Sequence, residues 1–394
     1  MNRQVDEFSK DFKIKVVRDI EEFKKLKEVW DEIAQKTGSF VPWLCWDWFN
    51  LFLKYFGKNK TLFVLLVYNS EEIIAIAPFM VINKKYKGLL NARIIQFMSN
   101  MHSPVCNFIF GESSNSSQRV IVERIIGFLF DEYKKWDIIE LEMIPEENGY
   151  FEVFLNAILA SHFKNKSYSC KGDWYLDEIT YSFSDYFKNI PRRRRKDVGR
   201  CQRHLQDIGE LRFHLINDTE NLDQYLDLYS GVRKKSWKGQ EKDNDFLRDF
   251  AKSAAEKGWL RLPFLFLNDV PIACEKWMVW NKTGYAWAGV YDVEFGKYSP
   301  GNVITSEITK HMIDKENVCE IDLGEGDEDY KKAWTPKRRE RKGITIFNNN
   351  MKGQILAFLI IKILPLFQKQ SHLISLKKRI SDYLKARRGS DDNL

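Results

Sequence analysis

Apolar and polar positions along the 394-residue chain fall into two successive blocks with the same plan. In the first, FKIKVV reads as a short strand. Ile20, Phe23, Leu26, Trp30 and Ile33 then recur at the spacing of one helix face. An aromatic-rich segment, FVPWLCWDWFNLFLKYF, comes next. TLFVLLVY, a polar turn at Asn69-Ser70-Glu71-Glu72 and IIAIAPFMVI predict a hairpin. ARIIQFM reads as a strand leading into the loop SNMHSPVCN, a helix is expected over about Ser117–Lys135, and WDIIELEMI reads as a buried strand.

The second block repeats the order. LRFHLI is a strand, and ENLDQYLDLYSGVRKKSW and DNDFLRDFAKSAAEKG are helices. RLPFLFL, a turn at Asn268-Asp269 and VPIACEKWMVW form a hairpin. GYAWAGVYD is a further strand, followed by a loop, the helix NVITSEITKHMIDKE and the strand VCEIDLGEG. VLLVYNSEEIIAIAPFMVI and PFLFLNDVPIACEKWMVW share strand, polar turn, Ile-Ala and strand. KKWDIIELEMIPEE and KENVCEIDLGEGDED share a buried strand with an acidic exit. Two matches in the same order predict a structural duplication. The expected organisation is a first domain over 1–180, a second over 181–350 that opens with the basic helix SDYFKNIPRRRRKDVGRCQRHLQDIGE, and a tail over 351–394.

Length agrees with two domains, and 44% hydrophobic residues are ample for packed cores. The net charge of +7 does not mark the whole body as a polyanion binder. From Met351 onward there are nine Lys/Arg against three Asp, so most of the excess lies in the tail. The six cysteines show no C-x-x-C spacing and are expected to be reduced, mostly buried thiols; no metal site is expected. The N-terminus lacks an apolar leader and no stretch reaches membrane-spanning length, so the cytoplasm is the expected compartment.

The chemistry concentrates in GYAWAGVYDVEFGKYSPGNVITSEITKHM and CEIDLGEGDEDYKKAW. A strand ends at Tyr291-Asp292, a tight loop holds Gly296, Ser299, Pro300 and Gly301, and a helix starts near Asn302. Glycine lets backbone approach a ligand, and a helix start offers free N–H groups and a positive dipole end, which suits a pyrophosphate. An ordinary strand–turn–helix connection has the same outline.

The order of strand, Tyr-Asp, Ser-Pro-Gly at a helix start, a D-x-x-G strand and Tyr-Lys-x-x-Trp resembles the GNAT acetyltransferase superfamily. More narrowly it resembles the family named for cellulose-biosynthesis proteins of the CelD type, related in architecture to the Fem aminoacyltransferases. The likeness spans about Phe12 to Asn348, most specifically Ser182–Trp334, and includes the Arg-rich helix, VRKKSW and Asp-Val-Pro-Ile-Ala. Lys297-Tyr298-Ser299-Pro300-Gly301 stands where many GNAT members carry Q/R-x-x-G-x-G/A.

The resemblance implies an α/β fold of two tandem GNAT-like domains, with mixed sheets flanked by helices. It implies an acyl-CoA cosubstrate, acetyl-CoA in the simplest case, with its pantetheine between the strands ending at Asp292 and Leu323. Tyr291, Lys297, Tyr298, Ser299, Gly301, Asn302 and Leu323 become the expected cofactor-binding residues. Transfer to an amine requires a base, oxyanion donors and an acid for the thiolate. Tyr330 is the expected acid, and Glu275, Asp292 and Glu325 are the candidate bases, with a water-relayed path as the alternative. Trp237, Arg233 and His102 are expected around the acceptor.

Arg192–Lys196 with Arg200 and Arg203 suits either a solvated ion-pairing helix between the halves or a dock for a phosphorylated partner. If a second cluster, Lys337–Lys342, lines the same groove, the tRNA-using alternative gains weight. The tail, ILAFLIIKILPLF followed by LKKRISDYLKARR, suits either packing on the body or peripheral contact with an anionic membrane through residues 355–388. Three functions remain open: an N-acyltransferase acting on a small-molecule or amino-sugar amine in surface polysaccharide biosynthesis, a Fem-like aminoacyl-tRNA-dependent transferase, and a non-catalytic membrane-associated scaffold.

Overall fold

The computed structural model describes residues 12–36, 41–111 and 115–366. In chain order the first part contains β1 (Lys13–Val17), α1 (Ile20–Lys24), α2 (Lys27–Lys36), α3 (Trp46–Phe56), β2 (Lys60–Asn69), β3 (Glu72–Lys85), β4 (Asn91–Phe97), β5 (Ile109–Phe110), α4 (Asn115–Gly127), β6 (Ile138–Pro145), α5 (Tyr150–Leu159) and β7 (Lys164–Ser169). The second contains β8 (Asp173–Leu176), α6 (Phe183–Asn189), α7 (Arg192–Gln206), β9 (Leu211–Ile216), α8 (Leu222–Lys235), α9 (Asn244–Glu256), β10 (Leu260–Leu267), β11 (Val270–Trp280), β12 (Thr283–Tyr291), α10 (Pro300–Asp314), β13 (Glu320–Glu325), α11 (Asp329–Trp334) and β14 (Lys337–Arg339). β15 (Arg341–Phe347) and α12 (Met351–Phe358) close the described chain.

Two mixed sheets result, flanked by helices. The first runs β1-β2-β3-β4-β6-β15-β7 with β5 beside β3, and the second runs β14-β8-β13-β12-β11-β10-β9. The expected duplication is visible in the pairing. In each sheet an antiparallel meander ends in a strand that meets the next one in parallel over three residue pairs, β4 with β6 and β12 with β13.

A cut at residue 180 does not coincide with the sheets. β7 lies in the first and β8 in the second, and β14 and β15 divide in the same way. The polypeptide therefore crosses between the sheets twice, through Cys170–Gly172 and through Glu340. The first crossing is tight: a Cβ on Gly172 would run into the Arg339 carbonyl. Buried charges gather here. Arg341, 5% exposed, donates to Asp173 Oδ2 (2.5 Å) and Glu147 Oε2 (2.7 Å), while Arg339 donates to Glu320.

The helix expected from Ile20 to Ile33 is two helices, because the Leu26 amide turns back to the Phe23 carbonyl (3.1 Å). The basic helix is likewise two. Pro191 has no amide to donate and holds Ile190 extended (ψ 160°), separating α6 from α7. The helix expected to reach Lys135 leaves α geometry at Phe128 for a π turn through Glu132.

α7 buries Val198, Cys201 and Leu205 and lies along α10 of its own half instead of between the halves. What does join the halves is one continuous apolar core, in which α3 packs on α9 through Trp48 against Phe246 (4.8 Å) and Phe250 (4.7 Å). All six cysteines are free, four of them buried.

α12 packs Leu356 and Ala357 into the shared core, and the π turn after it (Leu359–Ile363) adds Ile360, while Met351, Ile355, Phe358 and Leu366 stay exposed. The basic segment LKKRISDYLKARR lies outside the described residues. Among the described residues no helix is long and apolar enough to cross a membrane.

Candidate functional site

The site begins where β12 and β13 part. They pair at Thr283/Glu320, Gly284/Ile321 and Tyr285/Asp322 and no further, although both strands continue. Gly324 makes the departure possible. Its φ of +73° suits glycine, its amide donates to Asp322 Oδ1 (2.6 Å), and an added Cβ would sit 3.1 Å from the Ala286 carbonyl oxygen. Lys331, buried behind the turn, donates to the Gly324 (3.2 Å) and Glu325 (2.5 Å) carbonyls and fixes the segment that follows.

The corresponding parting in the first sheet is closed. Residues 99–107 cover it, and the Cys106 amide donates to the Met143 carbonyl of β6 (3.0 Å). One aperture of the two remains open.

Alternation along β11 gives that aperture two different faces. Ala273 and Trp277 pack toward α10, whereas Cys274 and Met278 pack toward α8 and α9. Glu275 and Lys276 therefore point to opposite sides of the sheet. A cavity of about 350 Å³ lies on the α10 side, and a second of about 160 Å³ lies on the other, between the halves.

Tyr291, Ser299, Gly301 and Asn302 line the first cavity with Glu275, Tyr330 and Trp237. Ser299 adopts a left-handed conformation (φ 50°) and Pro300 opens α10. The Ser299 amide donates to Gly296 and the Asn302 amide to Ser299, while Pro300 has none. Gly301 therefore presents an amide with no backbone acceptor among the described residues. A Cβ there would meet the Tyr291 ring at 3.5 Å and stand in the cradle. Arg194 of α7 reaches this point and donates to Asn302 Oδ1 (2.5 Å), bringing a cation to the helix start.

Glu275 is buried and accepts from Thr305 Oγ1 (2.7 Å) and Trp277 Nε1 (2.6 Å). Burial pushes its carboxyl above the usual range, against the pull of those two donors. Its cross-strand neighbour is Gly289, where a Cβ would stand 3.3 Å from Glu275 Cγ. Tyr330 keeps 44% of its surface exposed. Its phenol is pushed above the ordinary tyrosine range by burial and by the Glu275 and Glu328 carboxylates, a direction that keeps its proton on even where solvent tempers it.

The second cavity draws Trp43, Met101, His102 and Pro104 from the first half and Glu241, Lys276, Trp287 and Glu325 from the second, with Ala286, Ala288 and Gly324 at the aperture. His102 reaches across the halves to Asp243 Oδ2 (2.9 Å). Glu325 lies 3.1 Å from Lys171 Nζ.

Not every expected site residue arrives. Asp292 is buried away from both cavities, accepting from the Glu294 amide (3.0 Å) and pairing with Lys235 (3.2 Å). Leu323 is core, Lys297 lies over the Tyr298 ring, and Tyr298 packs at the edge of the α7–α10 cluster. Trp237 stands at the mouth of the first cavity, not at the second. Arg233 lies behind the second cavity, 3.5 Å from Glu241. Lys337–Lys342 forms no open groove, because Lys337 meets Asp177, Arg338 meets Asp327 and Lys342 meets Glu146.

Sequence reasoning missed Lys238, Thr305 and Glu328 at the first cavity and Trp43, Glu241, Lys276 and Trp287 at the second. Only Thr305, one helical turn beyond Gly301, had a positional signal. Among the described residues no group of three or more His, Cys, Asp or Glu side chains gathers to hold a metal ion.

Residues 192–332 match the family model described as an acetyltransferase (GNAT) domain. Comparison with curated proteins returns no match. Among solved structures, a conserved protein of unknown function from Bacteroides thetaiotaomicron VPI-5482 superposes with a TM-score of 0.52 at 15% identity, over 85% of this chain and 100% of that one. FemX superposes with a TM-score of 0.52 at 12% identity, over 80% of this chain and 95% of its own. At such identities the likeness concerns the fold. Residues 192–332 are thus similar to a GNAT acetyltransferase domain, and the two-sheet α/β chain that contains them is similar in fold to FemX.

Proposed function

We propose that the protein is an acyl-CoA-dependent N-acyltransferase that moves an acyl group, acetyl in the simplest case, to the amine of a small molecule or amino sugar. The observation that carries this reading is the aperture between β12 and β13 with a separate cavity on each face. Two reactants that must meet at one carbonyl can approach it from opposite sides of the sheet.

The first cavity fits a pantetheine arm. It has a glycine amide and Arg194 at a helix start for a diphosphate, and the end of β12 lines it through Gly289, Val290 and Tyr291. Acyl-CoA supplies there an activated thioester. The Gly301 amide and Arg194 hold the anionic end. Tyr330, its proton retained by the neighbouring carboxylates, serves as the acid for the departing sulfur. On the other face Glu325 takes a proton from the acceptor's ammonium and so frees the amine that attacks the thioester carbonyl, being the carboxylate at the aperture that is not shared between buried cations. Asp292 and Glu275 are not assigned that task, the first because it caps a turn, the second because it lies on the thioester side.

The narrower kinship with CelD-type proteins and a place in surface polysaccharide biosynthesis rest on the sequence motifs. The exposed stripe of Met351, Ile355, Phe358 and Leu366 supports peripheral contact of the tail with a membrane, measurable as co-sedimentation with anionic vesicles.

The test is thermal unfolding with and without acetyl-CoA, followed by an amine-dependent assay of free CoA thiol. A raised midpoint and amine-dependent thiol release are expected. No protection at millimolar acetyl-CoA, or protection by aminoacyl-tRNA alone, rejects the reading.

A further inference from the structure

The floor of the second cavity holds an uneven set of buried charges. Lys276 is 2% exposed and donates to Glu241 Oε2 (3.3 Å). Glu241 is shared, since Arg233 Nε lies 3.5 Å from its other oxygen without forming a hydrogen bond. Two cations thus stand against one carboxylate. The Lys276 ammonium also lies near two aromatic faces, Tyr229 at 4.0 Å and Trp287 at 5.2 Å. An ammonium has three protons to donate, and one carboxylate oxygen uses one of them. Surplus charge at such depth is costly: burial pulls the Lys276 ammonium below its usual range against the hold of Glu241, and an anion brought beside it restores the balance.

Geometry ties this surplus to the acceptor. Lys276 is the cross-strand neighbour of Ala288, and Ala288, Ala286 and Gly324 line both the aperture and the cavity. A molecule with its amine at the aperture therefore places its next few atoms against Lys276.

We infer that the acceptor is a primary amine that also carries an anionic group, and that Lys276 is the residue that selects it. Arg233 acts behind it by holding Glu241 in place. Trp43 and Trp287 provide apolar walls for the rest of the molecule. A cavity of about 160 Å³ suits an acceptor of amino-acid size, with its anion a carboxylate. The same chemistry is offered by a phosphorylated amino sugar entering from the cleft. The inference rests on the acyltransferase reading and narrows its substrate class.

The test compares matched acceptors with saturating acetyl-CoA, reading free thiol: alanine against alaninamide, and glucosamine 6-phosphate against glucosamine. The anionic member of at least one pair is expected to be favoured by about 10- to 100-fold in kcat/KM, the range of one charge-assisted hydrogen bond. The pair that shows the preference identifies carboxylate or phosphate. In Lys276→Met the preference should fall below about threefold, and Lys276→Arg should retain part of it. Calorimetric titration of the CoA-saturated wild-type protein with the same four compounds gives the same comparison without turnover and without a variant. Neutral members that bind and react as well as their anionic partners overturn the inference while leaving the acyltransferase reading intact. Failure of acetyl-CoA to bind at all removes both.

Discussion

Arg341→Met tests the account of the crossing between the sheets. The guanidinium is buried, 2.5 Å from Asp173 Oδ2, and Asp173 itself is 2% exposed. Methionine has similar length but no charge, so the change leaves Asp173 as a buried carboxylate without its nearest cation. Breaking such a pair costs about 3–5 kcal/mol. With a urea m-value of about 3 kcal/mol/M, the midpoint should fall by roughly 1–1.7 M.

Replacing both partners, Arg341→Met with Asp173→Leu, should return most of that loss, because an apolar pair in the same space is about neutral. The deficit should also depend on pH. Burial and the Asp322 charge push Asp173 up to about 7 despite Arg341 and Arg339, so its folded-state value exceeds its unfolded one. Such a group favours the folded state below about pH 4, and that contribution is lost as pH rises through 7. Removing Arg341 withdraws one of the charges that hold the value down, so the variant should lose more over the same rise. Its deficit is then smallest near pH 4 and largest above pH 7. A cost below about 1 kcal/mol, or a double variant no better than the single, would refute the reasoning.

Three further outcomes concern the site. Tyr330→Phe should lower kcat by about 10²–10⁴-fold in the thiol-release assay while leaving acetyl-CoA affinity within about twofold by calorimetry. Glu325→Gln should show a comparable loss at neutral pH that shrinks as pH approaches the acceptor amine's own pKa, where the amine no longer needs a base; a deficit constant with pH contradicts the assignment. Gly301→Trp should remove the roughly 2.7 kcal/mol of protection expected at acetyl-CoA concentrations of about 100 times Kd, with the ligand-free melting curve little changed, since the cavity there is open.

Both hairpins, the parallel strands after them and the long helices of the second half were legible because each carries its own periodicity. β7, β8 and β14 were not. KNKSYS and KRR have no apolar alternation, and their place comes from partners distant in sequence, Arg341–Phe347 and Asp173–Leu176. The aromatic run after residue 40 read only as composition, although it forms α3 and buries Trp46, Trp48, Phe49 and Phe52.

The thioester side of the candidate site was readable from strand ends and glycines. The acceptor side was not. Lys276 in CEKWMVW looks like the polar position of an ordinary strand, and its burial follows from Tyr229, Trp287 and Glu241 closing over it. Asp292 shows the converse. A carboxylate at the expected strand end proves to be occupied with a turn amide and a lysine.

The exchange of strands orders events during synthesis. β6 finds β4 soon after it is made, but its other edge, with Ile139, Leu141 and Ile144 beside it, waits for β15. At ribosomal speeds of about 5–20 residues per second, the roughly 200 intervening residues represent about 10–40 seconds of open apolar edge. During that interval the nascent chain depends on whatever shields such an edge from its neighbours. The same wiring means that neither half can be inherited, replaced or discarded by a cut at a single point.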